Sequence, residues 1–364
     1  MSKRIGIILL FLLVIVLAAC NQQPQIDEYE QVTFTDLLGR QVEIPADVDR
    51  VVAIGPGALR LYVYAGNTDY LVGIEEVEKG DVSGKPYMLA NPRLADLPTV
   101  GLGGPNNSPD FEKLVTVAPD VIFSTYHSDA SAADELQART GIPVIVLSYG
   151  DTPLFGEDVN ESLLLIGRVT GDEEQAQKIV AYIAQARQDL EARTKDIPEP
   201  EKPSVYVGGL GFKGAHGIES TQGRYALFDA IHAHNVADET RKVGAVMIYK
   251  EQLLIWNPEY IFIDMGGYML VKDDYRENPG YYQALRAVTS GNVFSQMPYN
   301  FYSTNIDTAL ADVYYIGKTL YPEAFKDIDP VRKADEIYQT MLGVGLYERM
   351  AEKYGGFGRI NLGD

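Results

Sequence analysis

The sequence predicts an α/β protein of two lobes bridged by a single long helix, and three observations carry that prediction. The chain has 364 residues, too many for one ordinary core and enough for two domains of roughly 150 residues each. Short β-branched runs alternate with helical stretches in two separate series, the pattern of parallel sheets covered by helices. Between the two series lies one uninterrupted helical stripe. With 46% hydrophobic and 23% charged residues, the composition is that of a folded globular protein, outside the disordered and collagen-like classes.

The chain opens with Lys3 and Arg4, an apolar run from Ile5 to Val16, and then Leu17-Ala18-Ala19-Cys20. A charged start, a short apolar stretch and small residues before a cut describe a secretory signal. The run is short for a bilayer span, which needs about 20 apolar residues. Leu-Ala-Ala-Cys resembles the bacterial lipobox, which implies cleavage before Cys20 and attachment of a diacylglycerol to its sulfur. Cys20 is the sole cysteine, so an intramolecular disulfide, a CxxC redox pair and a multi-thiolate metal site are all excluded. Residues 1–19 are therefore expected to be a lipoprotein signal peptide. Residues 20–31 are polar and are expected to form a lipidated tether.

The first lobe is expected over residues 32–171. Its strand signals are Val51-Val52-Ala53-Ile54 before Gly55, Val121-Ile122-Phe123-Ser124, and Val144-Ile145-Val146-Leu147-Ser148. The bridging helix is expected over 172–197. Ala176, Ile179, Val180, Ile183, Ala186 and Leu190 form its apolar stripe, Asp172-Glu173-Glu174 supply charge at its start, and Pro198 and Pro200 close it. About 25 residues at 1.5 Å make a rod of roughly 37 Å, long enough to join two lobes; packing along one lobe is the plainer alternative. The second lobe, 198–364, repeats the alternation with Ser204-Val205-Tyr206-Val207, Tyr260-Ile261-Phe262-Ile263-Asp264 and Asn292-Val293-Phe294.

One internal repeat survives direct comparison. Phe111-Glu112-Lys113-Leu114-Val115-Thr116-Val117-Ala118-Pro119-Asp120-Val121-Ile122-Phe123 matches Lys250-Glu251-Gln252-Leu253-Leu254-Ile255-Trp256-Asn257-Pro258-Glu259-Tyr260-Ile261-Phe262. Glu, Leu, Pro, an acid, Ile and Phe recur in register as helix, proline break and strand, one copy per lobe. The alternative is coincidence between two helix-to-strand units, because proline followed by an acid is a common terminator.

The chain resembles the substrate-binding lipoproteins of ABC importers, in the class whose two Rossmann-like lobes share one long helix and which handles iron-siderophores, haem and cobalamin. The resemblance covers about Val32 to Ile337. It is carried by Phe34-Thr35-Asp36-Leu37-Leu38-Gly39-Arg40-Gln41-Val42-Glu43-Ile44-Pro45, by Arg50-Val51-Val52, by the two repeats, and by Gly141-Ile142-Pro143-Val144. It implies a helical-backbone periplasmic binding protein that captures a metal chelate, of the iron-siderophore type, between its lobes. It also implies a partner, an ABC permease homodimer with its ATPase, docked through one surface glutamate per lobe. By match those are Glu112 and Glu251; each alone would read as a solvated helix residue.

Ligands of open parallel sheets sit beyond the carboxyl ends of strands. That rule selects 55–60, 125–127 and 148–150 in the first lobe, and 208–216, 264–268 and 297–302 in the second. From these segments Arg60, Tyr126, His127, Tyr149, Lys213, His216 and Tyr299 are the candidate ligand contacts. Aromatic walls and a few cations suit a bulky chelate with anionic groups. Arg60 could instead pair with a carboxylate. His127 and His216 could be axial ligands to the chelated metal or simply hydrogen-bonding histidines. His232 and His234, two apart on an expected helix, diverge and read as structural.

Gly209-Leu210-Gly211-Phe212-Lys213-Gly214 fits the dinucleotide fingerprint, but Gly217 spoils the helix that should open there, so no cofactor is expected. The net charge of −20 excludes sequence-independent nucleic-acid binding. The expectation is a non-enzymatic, monomeric, extracytoplasmic receptor anchored to the bilayer through Cys20. The competing readings are an exported reductase or hydrolase acting on a chelate, and a sensor lipoprotein of the same fold. Lobes joined by one continuous helix should close by only a small angle. Residues 343–364 carry no reading.

Overall fold

The computed structural model describes residues 30–104, 107–211 and 214–363. The signal segment, Cys20 and Lys213 lie outside them. Among the described residues no helix is long and apolar enough to cross a membrane.

In lobe 1, a hairpin of β1 (Gln31–Thr35) and β2 (Gln41–Pro45) precedes a parallel sheet of β3 (Val51–Ile54), β4 (Leu71–Gly73), β5 (Val121–Ser124) and β6 (Val144–Val146), in the order β4-β3-β5-β6. Every residue of β3, β5 and β6 is buried, as expected where helices cover both faces and the sequence runs continuously apolar. Its principal helices are α1 (Ala58–Ala65), α2 (Phe111–Val117), α3 (Ala130–Thr140) and α4 (Glu157–Thr170).

The bridging helix α5 is Glu173–Thr194, buried at Ala176, Ile179, Ile183, Ala186, Leu190 and Thr194. Each lobe grips one end. Near the start, Gln175 Nε2 donates to the Tyr64 carbonyl of α1. Near the finish, Arg193 donates to both oxygens of Asp327, at 2.7 and 2.8 Å, and Asp189 accepts from the Tyr314 hydroxyl at 2.9 Å.

Lobe 2 contains β7 (Ser204–Gly208), β8 (Ser220–Gly223), β9 (His234–Asn235), β10 (Gly244–Met247), β11 (Tyr260–Asp264) and β12 (Val293–Gln296). Its parallel sheet runs β12-β11-β7-β9, and β8 pairs with β10 in a separate antiparallel ribbon. Its principal helices are α6 (Lys250–Trp256), α7 (Tyr268–Glu277), α8 (Ile306–Leu320), α9 (Pro330–Leu342) and α10 (Tyr347–Tyr354). The helix expected to carry His232 and His234 stops at Asp229. His232 instead sits in a left-handed turn, φ 52°, with Nε2 2.8 Å from Glu191 of α5, and His234 enters β9.

The C-terminal stretch closes an edge. Ser295 N–H donates to the Gly358 carbonyl and Ile360 N–H to that of Val293, so the tail runs antiparallel beside β12. Phe357 stacks on Tyr315 at 4.3 Å. The tail thereby covers backbone groups that an open sheet would leave for a stray strand.

Candidate ligand cavity and docking helices

Three strand ends of lobe 1 build a cavity of about 600 Å³. Pro56 follows β3, Thr125, Tyr126, His127 and Ser128 follow β5, and Ser148, Tyr149, Gly150 and Asp151 follow β6; Asp158 of α4 and Ser303 of lobe 2 complete the wall. Two glycines make the close approach workable. A Cβ on Gly55, φ 96°, would stand 2.8 Å from Thr125 Oγ1 and the Tyr126 nitrogen, and one on Gly57, φ 78°, would stand 2.5 Å from the Tyr149 hydroxyl. Both positions need positive φ and no side chain.

Of the candidate contacts, Tyr126, His127 and Tyr149 come together on this wall. His127 Nε2 is buried and has no hydrogen-bond partner among the described residues. Burial holds the imidazole below its ordinary pKa, opposed by Asp129, so near neutral pH the ring offers an uncharged nitrogen to whatever occupies the cavity.

The other candidates sit elsewhere. Arg60, expected to line the cleft, is fully buried because every residue of α1 is buried around it. Its guanidinium donates to the Tyr149 hydroxyl (3.2 Å), the Thr304 carbonyl (3.0 Å) and the Phe301 carbonyl (2.6 Å) and lies over the Tyr87 ring. It ties lobe 1 to lobe 2. Tyr299 is buried in lobe 2, with its ring centroid 6.3 Å from that of Tyr225. His216 is half-buried, its carbonyl packed against Gly267, away from the cavity wall. Lys213 lies outside the described residues.

A second cross-lobe tie involves a residue sequence reasoning missed. Glu75, just beyond β4, accepts from the Tyr126 hydroxyl at 2.5 Å, the Gly55 N–H at 2.9 Å and the Tyr302 hydroxyl of lobe 2 at 3.4 Å. Burial pushes its carboxyl up to about 7, against the opposing pull of the Tyr126 and Gly55 hydrogen bonds. The strand-end rule could have found it had the three-residue β4 been recognised. Tyr302 and Ser303 are consecutive non-glycine residues with φ of 49° and 78°. Backbone held in that region persists only where its surroundings over-determine it, and Arg60, bonded to the carbonyls on either side, supplies that constraint. Asn305 Nδ2 donates to the Gly84 carbonyl at 2.8 Å, and the Tyr64 hydroxyl to Asp307 at 3.0 Å, so the lobes are joined by buried bonds as well as by α5.

A cavity of similar size, about 590 Å³, lies behind lobe 1 between Thr35–Leu37 and the α4 and α5 helices. It is not at the strand ends.

The two repeat copies fold alike. Helices α2 and α6 are seven residues each, with Leu114 and Leu253 as their buried residues. Each ends in a left-handed non-glycine residue before proline, Ala118 at φ 44°, ψ 63° and Asn257 at φ 43°, ψ 61°. The acid after the proline pins the neighbouring strand: Asp120 accepts from the Arg50 N–H and Glu259 from the Ser204 N–H, both at 3.0 Å. Glu112 and Glu251 occupy the same exposed position in the first turn.

Comparison with known proteins gives this architecture a family. The periplasmic binding protein family matches residues 51–298, and the chain belongs to it. The molybdate-binding protein MolA of Haemophilus influenzae is 25% identical over 334 residues, covering 84% of this chain and 89% of that protein. An uncharacterized ABC transporter substrate-binding lipoprotein of Bacillus subtilis, YvrC, is 23% identical, covering 90% of this chain and all of its own length. Among solved structures, a periplasmic solute binding protein from Veillonella parvula superposes with a TM-score of 0.71 at 20% identity, covering 89% of this chain and 97% of its own. Molybdate-bound MolA does so at 0.67 and 22%, covering 86% and 98%.

Proposed function

We propose that this substrate-binding protein of an ABC transporter captures a metal chelate of the iron-siderophore type in the cavity beyond β3, β5 and β6, and hands it to a permease homodimer driven by its ATPase. The observation that carries the reading is an aromatic-walled cavity at parallel strand ends, holding the buried and unpartnered Nε2 of His127. Tyr126 and Tyr149 supply flat packing surface for a ligand framework. The chain is a monomer tethered through a lipidated Cys20, and Glu112 and Glu251 meet the two permease subunits, since a two-fold partner requires the same charge presented twice.

The charged side chains among the described lining residues are Asp151 and Asp158. They favour a chelate that is neutral or positive on the face turned to lobe 1. MolA binds molybdate, and a small oxyanion here would meet both carboxylates. Thermal-shift measurements with neutral ferric hydroxamates, haemin, corrinoids and molybdate test the reading. A bound ligand stabilises by mass action, about 2.7 kcal/mol at 100 times Kd. A ferric hydroxamate is expected to raise the midpoint of the wild type, and His127→Ala to abolish the rise. Stabilisation by molybdate alone would contradict the proposal. The ligand recovered after release should be chemically unchanged, which separates a receptor from an exported enzyme.

A further inference from the structure

From residue 243 onward the chain exposes alternate residues. Val243, Ala245, Met247, Tyr249 and Glu251 face out, while Val246 is buried and Gly244, Ile248 and Lys250 are partly covered. This is the period of a strand, and it follows β10, whose strand neighbour is β8. The outward side chains are among the most exposed large apolar residues described: Val243 at 82%, Met247 at 60% and Tyr249 at 84%. The run enters α6, where Leu254 and Ile255 stand three and four residues after Glu251 and so share its face; Ile255 is 75% exposed. A contiguous apolar ridge at an edge strand is a feature soluble proteins avoid unless something binds it.

Among the described residues lobe 1 shows no such alternating run, and the exposed large apolar residues ahead of and within α2 are Leu102 and Val115. Ahead of α2 run Asn107, Ser108, Pro109 and Asp110, and the face of Glu112 carries Val115 and Thr116. The repeat therefore presents the same acid twice, with the more extended apolar surround at the lobe 2 copy.

We propose that the ridge from Val243 to Ile255 is the apolar half of the permease contact, so that lobe 2 anchors the receptor through packing while lobe 1 contributes chiefly charge. The proposal rests on the docking role assigned to Glu251 above and adds the chemistry of the surface that receives it: apolar, with a cation opposite Glu251 and an anion opposite the other end. Exposed Arg241 and Lys242 flank the ridge at Val243; at α6 it is flanked by Glu251 and by Glu239, which accepts from the Trp256 indole N–H at 2.9 Å. A protein surface can match both signs. An anionic lipid plane would be repelled at one end, and a second copy of a chain with net charge −20 would be repelled overall.

The test is the affinity of the full chain for its own permease–ATPase complex in nanodiscs. Met247→Ser/Tyr249→Ser/Ile255→Ser is expected to weaken it about tenfold or more, and Leu102→Ser/Val115→Ser in lobe 1 by less than about twofold, with ligand-induced thermal shifts unchanged for both. Single Tyr249→Ser, at a side chain exposed on nearly all sides, keeps the test valid should the triple variant misfold. Equal losses from the two lobes, or none from lobe 2, would overturn the proposal. So would loss, in the triple variant, of binding to phosphatidylglycerol vesicles or of self-association in sedimentation where the wild type shows either. Glu112→Lys/Glu251→Lys separates the two readings: if it leaves permease affinity intact the docking role itself fails, and if it alone reduces affinity the ridge assignment fails while docking stands.

Discussion

The α2–β5 unit of lobe 1 and the α6–β11 unit of lobe 2 have the same helix length, the same buried leucine and the same left-handed residue before proline. Beyond β5 lie Tyr126 and His127 on a cavity wall; ahead of α6 runs an apolar ridge. The shared part is local, a helix stop and a strand start written in thirteen residues. The differing part comes from neighbours: the cavity needs β3 and β6 beside β5, and the ridge needs the β8–β10 ribbon. One unit used twice therefore borders a cavity in lobe 1 and an exposed apolar run in lobe 2.

The largest effect is expected from separating the lobes. Arg60→Ala leaves the Phe301 and Thr304 carbonyls and the Tyr149 hydroxyl without their buried cation, and is expected to cost about 3–5 kcal/mol in denaturant unfolding. A loss below about 1 kcal/mol would show that α5 and the Glu75, Asn305 and Tyr64 bonds hold the lobes together without Arg60. Next come Leu114→Ala and Leu253→Ala, expected to cost about 2–4 kcal/mol each. Similar losses would support equivalent units, and tolerance in one lobe would break the equivalence.

The smallest effect is a pH slope. The folded chain holds a proton on Glu75 up to about pH 7, whereas its ordinary value is 4.5. Between those values the folded state binds more protons than the unfolded state, so this group's contribution to stability is fully present below about 4.5 and declines until about pH 7. Glu75→Gln should flatten the difference in melting midpoint between pH 5 and pH 7; an unchanged slope would show that burial does not hold the Glu75 carboxyl up. Asp264, which burial also pushes up to about 7, contributes in the same direction and remains in the variant.

Much of this was legible in the sequence because it was local. The repeat, the strand runs and the α5 stripe each carry their pattern within a few turns, and the strand-end rule led to Tyr126, His127 and Tyr149. Arg60 misled because a cation near a strand end suggests a ligand, although the all-round apolar character of Ala58-Leu59 and Leu61-Tyr62-Val63-Tyr64-Ala65 marks a helix buried on every side. Glu75 was hidden behind a strand of three residues. The left-handed Tyr302 and Ser303 and the pairing of the C-terminal tail with β12 depend on contacts far apart in the chain, which no local pattern encodes.

The most direct test of the account is uptake of a ferric hydroxamate by cells whose receptor carries Glu112→Lys/Glu251→Lys, with ligand-induced stabilisation of the same purified variant measured alongside. Uptake is expected to be abolished and stabilisation unchanged. Uptake at the wild-type rate would contradict it.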